Sequence, residues 1–226
     1  MRTRIKICGI TRPGDARAAA QAGADAIGLV FYPPSPRYLS LERAREIRDA
    51  LPPFVQSVAL FVNADAAQVS QVIGRVHPAL LQFHGEETPD FCAQFGLPFV
   101  KACRVKQGVS ALEYLRPFSG AAAWLFDSHV PEYGGVGESF DWSLVPATEK
   151  PAVLSGGLSP ANVAAAIRRV RPWGVDVSSG VESSPGLKSP EKIASFVSAA
   201  RAAFSAVAAA SLRSQPAPVR AKENLS

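Results

Sequence analysis

Two residues able to move protons stand where apolar runs end in this sequence. Cys8 follows the run that opens Lys6-Ile-Cys-Gly-Ile-Thr11, and Asp127 follows Ala123-Trp-Leu-Phe126. A thiol whose pKa is lowered from about 8.5 is a base or a nucleophile. The same residue also reads as a small buried hydrophobe. A carboxylate directly after an apolar run is costly to bury unless it is paired or used. Asp127 therefore reads either as a cap of the following loop or as a general acid whose pKa is raised by apolar surroundings. Arg37 ends Pro33-Pro-Ser-Pro-Arg37, where three prolines restrain the loop and hold a guanidinium ready for an anion. A solvated loop arginine is the plainer alternative. His84, in Gln82-Phe-His-Gly85, is either a substrate contact or a satisfied histidine at a strand end.

Phosphate chemistry has a two-part signal. Ser155-Gly156-Gly157-Leu158 follows one apolar run, and Ser178-Ser179-Gly180 lies inside Asp176–Glu182 after the next. Glycines let backbone N–H groups approach an anion, and serines add hydroxyl donors. Other constellations are missing from the sequence. No dinucleotide, Walker or His-Glu-x-x-His pattern occurs, and His77, His84 and His129 have no metal-ligand spacing. Cys92 and Cys103 read as packing residues, and Lys101 as a lone cation that is structural or catalytic.

These residues need elements to place them. Short aliphatic runs recur at Arg4–Gly9, Ala26–Phe31, Ser57–Val62, Leu80–His84, Phe99–Arg104, Ala123–Asp127, Ala152–Ser155 and Gly174–Ser178. Near-continuous apolar runs suit strands buried on both faces of a parallel sheet. Helical patterns lie between them at Asp15–Ala22, Leu41–Ala50, Ala66–Val76, Asp90–Phe95, Ala161–Val170 and from Glu191 to Phe204 or beyond. Pro13, Ser40, Asn63 or Asp65, Thr88-Pro89, Ser159-Pro160 and Ser189-Pro190 supply the start signals. Strand-helix repeats spread over roughly 200 residues predict a single (β/α)8 TIM barrel of the α/β class, although periodicity alone also allows an open doubly wound sheet. The barrel is expected to span residues 1–208, with a disordered tail at 209–226 and a lid in the Gly-rich stretch His129–Ser139. In such a barrel, chemistry gathers at the C-terminal strand ends, and phosphate sits after strands 7 and 8.

Composition narrows the function classes. Apolar residues make up 47% and charged residues 19%, which suits a globular core and excludes a disordered chain. The net charge is +5, of which the last 14 residues carry +2. No Lys/Arg stripe with interleaved aromatics suggests nucleic acid, while a mild positive bias suits a small anionic substrate. Three unpatterned cysteines fit a reducing, cytoplasmic setting. No signal peptide or membrane span is expected, because the Ala-rich Phe196–Leu212 is broken by Arg201.

The ordered set of motifs resembles phosphoribosylanthranilate isomerase of tryptophan biosynthesis. Lys6–Thr11, Gly23–Phe31 with Ser35-Pro-Arg37, Leu60-Phe-Val-Asn63, Gln82-Phe-His-Gly-Glu86, Asp127 with Gly134-Gly-Val-Gly137 and Phe140-Asp-Trp142, Leu154–Leu158 with Asn162-Val163, and Gly174–Glu182 carry the match. Phe83, Val136 and Ser155 depart from the family's usual Leu, Thr and Ala. The resemblance implies an Amadori rearrangement that needs no metal or organic cofactor. It implies Cys8 as general base and Asp127 as general acid, with Arg37, His84 and Asp176 contacting the substrate. Ser155, Gly156, Gly157, Ser178, Ser179 and Gly180 would hold its phosphate. The protein would act as a monomer or a homodimer on a small phosphorylated molecule, without nucleic acid or membrane. Related readings are the histidine-pathway aminoaldose isomerase, which should carry an Asp where Cys8 stands, and indole-glycerol-phosphate synthase, whose Lys/Glu set is not assembled here. A non-catalytic phosphate-binding barrel has no need of an acid and a base.

Overall fold

Side-chain alternation along each strand decides what the fold encloses and what it presents. The structure, a computed structural model, describes residues 3–128 and 141–213. Eight strands run parallel and close on themselves: β1 (Arg4–Ile7), β2 (Ala26–Val30), β3 (Gln56–Phe61), β4 (Leu80–Phe83), β5 (Phe99–Val105), β6 (Ala123–Ser128), β7 (Ala152–Leu154) and β8 (Gly174–Val177). β8 pairs back to β1 with Lys6 opposite Asp176. The barrel is therefore closed, and the open-sheet alternative is excluded.

Outward-pointing residues such as Ile5, Ile7, Phe61, Phe83 and Phe126 are fully buried beneath the helices. Burying each of them contributes about 1.5–3 kcal/mol. Phe83 packs against Phe61, Phe91, Phe95 and Phe99 at centroid distances of 5.9–6.0 Å. Inward-pointing residues are smaller. Val100, Ala102, Ala123, Leu125 and Val153 form an apolar plug, and Cys8, Val30, Leu60 and Val62 form a second cluster.

The covering helices are α1 (Pro13–Ala22), α2 (Leu41–Asp49), α3 (Ala66–Val76), α4 (Pro89–Ala93), α5 (Ala111–Leu115), α6 (Val163–Val170) and α7 (Pro190–Arg213). Ser40, Asp65, Thr88 and Ser110 each accept a hydrogen bond from the backbone N–H three residues on, satisfying a donor the helix leaves open. Gly23 ends α1 at φ 98°, a left-handed conformation glycine adopts without strain.

The structure differs from the sequence expectation in five places. The five-residue α5 is too short to show a helical period and was not anticipated. Between β6 and β7 the described chain carries only a 3-10 turn, Trp142–Leu144. α6 starts at Val163 rather than Ala161, because Asn162 turns its side chain back to Ser159 N and Gly157 O, both at 2.8 Å. A hairpin, β9 (Glu182–Ser184) with β10 (Leu187–Lys188), lies between β8 and α7. α7 carries the chain to Arg213, beyond the expected boundary at residue 208. The rest of the expected tail and the expected lid, His129–Ser139, lie outside the described residues. Among the described residues no helix is long and apolar enough to cross a membrane.

Candidate active site

The inward phase of the strands delivers the polar residues to one end of the barrel. Cys8, His84, Arg104, Asp127, Ser155 and Asp176 all line a single open cavity of about 870 Å³. Arg37, Gly156, Gly157, Ser178 and Ser179 complete its wall. Gly180 stands just behind it, at the packed contact between two loops, where an added Cβ would overlap the Leu158 carbonyl oxygen. The thiol and the carboxyl read from the sequence thus face one space, from strands three steps apart around the ring.

Cys8 follows β1 and is buried at 6% exposure. Its neighbour on β2 is Gly28, where a Cβ would stand 2.6 Å from the sulfur, so only glycine leaves the thiol its place. Burial pushes the Cys8 thiol up, while Lys6 pulls it back. Lys6 lies two residues earlier on the same inward face and is bound to Asp176 Oδ1 at 2.9 Å.

Across the cavity, His84 and Asp127 form a couple. His84 Nε2 lies 2.9 Å from Asp127 Oδ2, and Gln82 Nε2 lies 3.0 Å from His84 Nδ1. The Gln82 amide donates to Nδ1, which leaves the imidazole proton on Nε2, directed at the carboxylate. Asp127 Oδ1 also accepts from Ser128 N at 2.8 Å. The surroundings of Asp127 are therefore polar and partly exposed, not the apolar pocket suggested by the run before it. The run Ala123–Phe126 points mostly into packed layers, whereas Asp127 is the first inward residue to reach the cavity.

Arg37 is buried and gives one edge of its guanidinium to Glu182, with Nε and Nη2 each 2.8 Å from a carboxylate oxygen. Glu182 also accepts from Lys188 Nζ at 2.7 Å. Burial opposes ionisation of Glu182, but Arg37 and Lys188 outweigh it and hold the carboxyl below its ordinary range. Asp176, expected at the substrate, reaches the cavity while paired with Lys6.

The glycine loops behave as a unit. Gly156 and Gly157 adopt φ values of 80° and 61°, which direct the backbone into the cavity wall. Asn162 clamps this loop at Gly157 O, and the Ser178–Ser179 turn after β8 abuts it.

Sequence reasoning missed Lys6, Gln82, Arg104 and Lys188. Lys6, Gln82 and Arg104 sit at inward positions of assigned strands, so period-2 alternation from Cys8, His84 and Asp127 would have found them. Lys188 lay in a hairpin that carried no signal. Lys101 points outward, where its ammonium meets Glu87 Oε2 at 2.9 Å and the Gly85 carbonyl, so it is structural. Cys92 and Cys103 are buried packing residues, their thiols pushed up by burial to about 12 and about 11.

Comparison with known proteins places this arrangement. A family model described as N-(5'-phosphoribosyl)anthranilate (PRA) isomerase matches residues 5–199. The N-(5'-phosphoribosyl)anthranilate isomerase of Leptothrix cholodnii is 53% identical over 201 residues, covering 88% of this chain and 91% of that protein. The crystal structure of phosphoribosyl anthranilate isomerase from Thermotoga maritima superposes with a TM-score of 0.79 at 43% identity, over 88% of this chain and 99% of its own. A phosphoribosyl anthranilate isomerase in complex with reduced 1-(o-carboxyphenylamino)-1-deoxyribulose 5-phosphate superposes with a TM-score of 0.77 at 38% identity, over the same shares. With its closed barrel and its family match along nearly the whole described body, the chain belongs to the N-(5'-phosphoribosyl)anthranilate isomerase family.

Proposed function

We propose that this chain isomerises N-(5'-phosphoribosyl)anthranilate to 1-(2-carboxyphenylamino)-1-deoxyribulose 5-phosphate in tryptophan biosynthesis, with Asp127 as general acid and Cys8 as general base. The observation that carries the assignment of roles is that both groups line one cavity whose rim is the pair of glycine loops. The substrate phosphate lies against Ser155–Gly157 and Ser178–Gly180, where backbone N–H groups and hydroxyls face the anion. That grip fixes the sugar between thiol and carboxyl. Asp127 delivers a proton to the furanose ring oxygen, and the ring opens to an iminium. The Cys8 thiolate takes the proton from C2, giving an enolamine. Loss of the enol proton and protonation at C1 then give the ketone, so the overall reaction only redistributes hydrogen. His84 orients the Asp127 carboxyl through the Nε2 contact, and Asp176 and Arg37 position the sugar side of the cavity. The carboxylate of the anthranilate ring points away from the phosphate, toward Arg104, which lies opposite Asp127 in the β5–β6 register.

The protein acts on this small phosphorylated substrate as a monomer or a homodimer in the cytoplasm. The test is turnover of N-(5'-phosphoribosyl)anthranilate, followed by its fluorescence. Cys8→Ala and Asp127→Asn are each expected to lose about 10²-fold or more in kcat, the scale of a lost acid or base. Near-normal turnover by either variant removes that residue from its role. A stoichiometric fluorescence change without turnover in the wild type would make the protein a binder.

A further inference from the structure

The charges buried beneath Cys8 do not cancel. Three cations meet there, Lys6, Arg37 and Lys188, against two carboxylates, Asp176 and Glu182. Each belongs to a different place in the chain: Lys6 on β1, Arg37 in the loop after β2, Asp176 on β8, and Glu182 and Lys188 on the two arms of the hairpin. All five are nearly sealed from water, with side-chain exposures of 12% for Lys6, 8% for Arg37, 0% for Lys188 and 5% for both carboxylates. Burial pulls Lys188 below the ordinary lysine range, and Glu182 works against that fall. Its three protons meet three acceptors, Glu182 Oε1 at 2.7 Å, Ser178 O at 3.0 Å and Ser178 Oγ at 3.3 Å. Across the cavity, Arg104 and Asp127 offer one group of each sign. The surplus positive charge therefore belongs to the floor under Cys8.

A buried surplus charge calls for a counter-ion. We infer that the Cys8 sulfur is where that counter-ion forms during the reaction, and that Lys6 is the positioning residue that eases the ionisation of a thiol that burial otherwise keeps protonated. Lys6 is the nearest cation along the strand, two residues before Cys8 on the same inward face, and its charge draws the thiol toward ionisation. Burial is the strongest influence on Cys8 and pushes the thiol up, and Asp176 adds to the rise. Lys6 and Lys188 act the other way, and Arg37 feels the same thiol. Lys6 and Asp176 thus tune Cys8 with opposite signs while being bonded to each other. The inference rests on Cys8 being the base, but the charge on its sulfur is measurable without turnover.

The experiment is the pH dependence of iodoacetamide labelling at Cys8 in the folded full chain, resolved from Cys92 and Cys103 by peptide mass spectrometry. Lys6→Met is expected to raise the labelling midpoint by about one pH unit or more, a tenfold loss of thiolate at fixed pH below it. Asp176→Asn is expected to lower the midpoint by a similar amount, and Lys6→Arg to leave it near wild type. The acid-side limb of kcat should move with the midpoint, to higher pH in Lys6→Met and to lower pH in Asp176→Asn. A purely structural role for the pair would move both variants the same way, or neither, and either result overturns the inference. Should Lys6→Met fail to fold, the Asp176→Asn shift alone decides. Normal turnover by Cys8→Ala would remove the base role while leaving the labelling midpoints to report on the counter-ion separately.

Discussion

Two buried lysines in this barrel each hold a carboxylate at 2.9 Å, Lys6 with Asp176 and Lys101 with Glu87. Lys101 points outward from β5 into a closed pocket. Its partner is also held by Asn63 N at 2.8 Å and Gly85 N at 3.0 Å, and the rings of Tyr114 and Phe118 lie 5.8 and 5.3 Å from its ammonium. One cation meets one carboxylate there, every polar atom of the carboxylate is engaged, and neither residue lines the cavity that holds Cys8. Lys6 points inward, opens onto a cavity and belongs to a group with one cation too many. The bond length is the same. Charge balance and access to a cavity are what separate a fastening from a piece of chemical machinery.

Breaking each pair should therefore fail differently. Lys101→Met leaves Glu87 buried without its cation, and the cost of such an orphan is about 3–5 kcal/mol. Urea unfolding should show that loss in full, while turnover per folded molecule stays close to wild type. A variant that keeps its stability and loses its rate would place Lys101 in the chemistry and erase the contrast.

Gly28→Ala approaches the cavity side from the other direction, since it removes no charge. The new Cβ would meet the Cys8 sulfur at 2.6 Å, and a displaced base loses rate on the order of ten- to a hundredfold. Overpacking at this position costs about 1–3 kcal/mol of stability. Steady-state kinetics should show the loss in kcat with KM little changed. An unaltered kcat would mean that the thiol has room to spare, and that its precise seat does not matter.

The contrast between the two lysines was only half legible in the sequence. Aliphatic runs fix the strands, because a strand buried on both faces must be apolar along most of its length. Each of the eight strands lies within two residues of its expected position. Once a strand is placed, alternation assigns Cys8, His84 and Asp127 to one face, and Lys101 to the other by the same count. The Glu87 partner of Lys101 and the Glu182–Lys188–Arg37 group lie outside the strands, in loops and a short hairpin whose shape comes from tertiary contacts. Nothing local predicts that residues 145 positions apart, Arg37 and Glu182, will meet. The apolar approach to Asp127 misled for a related reason. A run of side chains says what lies below a residue along its strand, but not what faces it across a barrel.

Glu182 offers a sharper test by pH. Its carboxyl is held below the ordinary range in the folded protein, so its stabilising contribution is complete above the unfolded value of about 4.3. It is lost as pH falls through the lower folded value. The wild type should thus lose stability on acidification, and Glu182→Gln should lose less over the same window, having no carboxylate to protonate there. At neutral pH the variant should be the less stable of the two, because Arg37 and Lys188 share a neutral partner. Equal acid slopes for the two proteins would mean that the surplus cations do not hold Glu182 ionised.

The smallest effect belongs to the surface, and it completes the comparison. Arg43 and Glu46 meet at 2.7 Å, closer than the Lys6–Asp176 and Lys101–Glu87 pairs, yet their side chains are 44% and 58% exposed. Water screens the attraction, and holding two long side chains in one geometry costs entropy. Such a pair contributes about 0.2–1 kcal/mol, and pairs within one helix lie toward the lower end. Glu46→Gln should therefore shift the urea midpoint by no more than that, and the shift should shrink further in high salt. Lys101→Met, sealed from solvent, should keep its loss at the same salt concentration. If the surface variant lost as much as the buried one, distance alone would govern these pairs, and burial and charge balance would have no part in telling them apart.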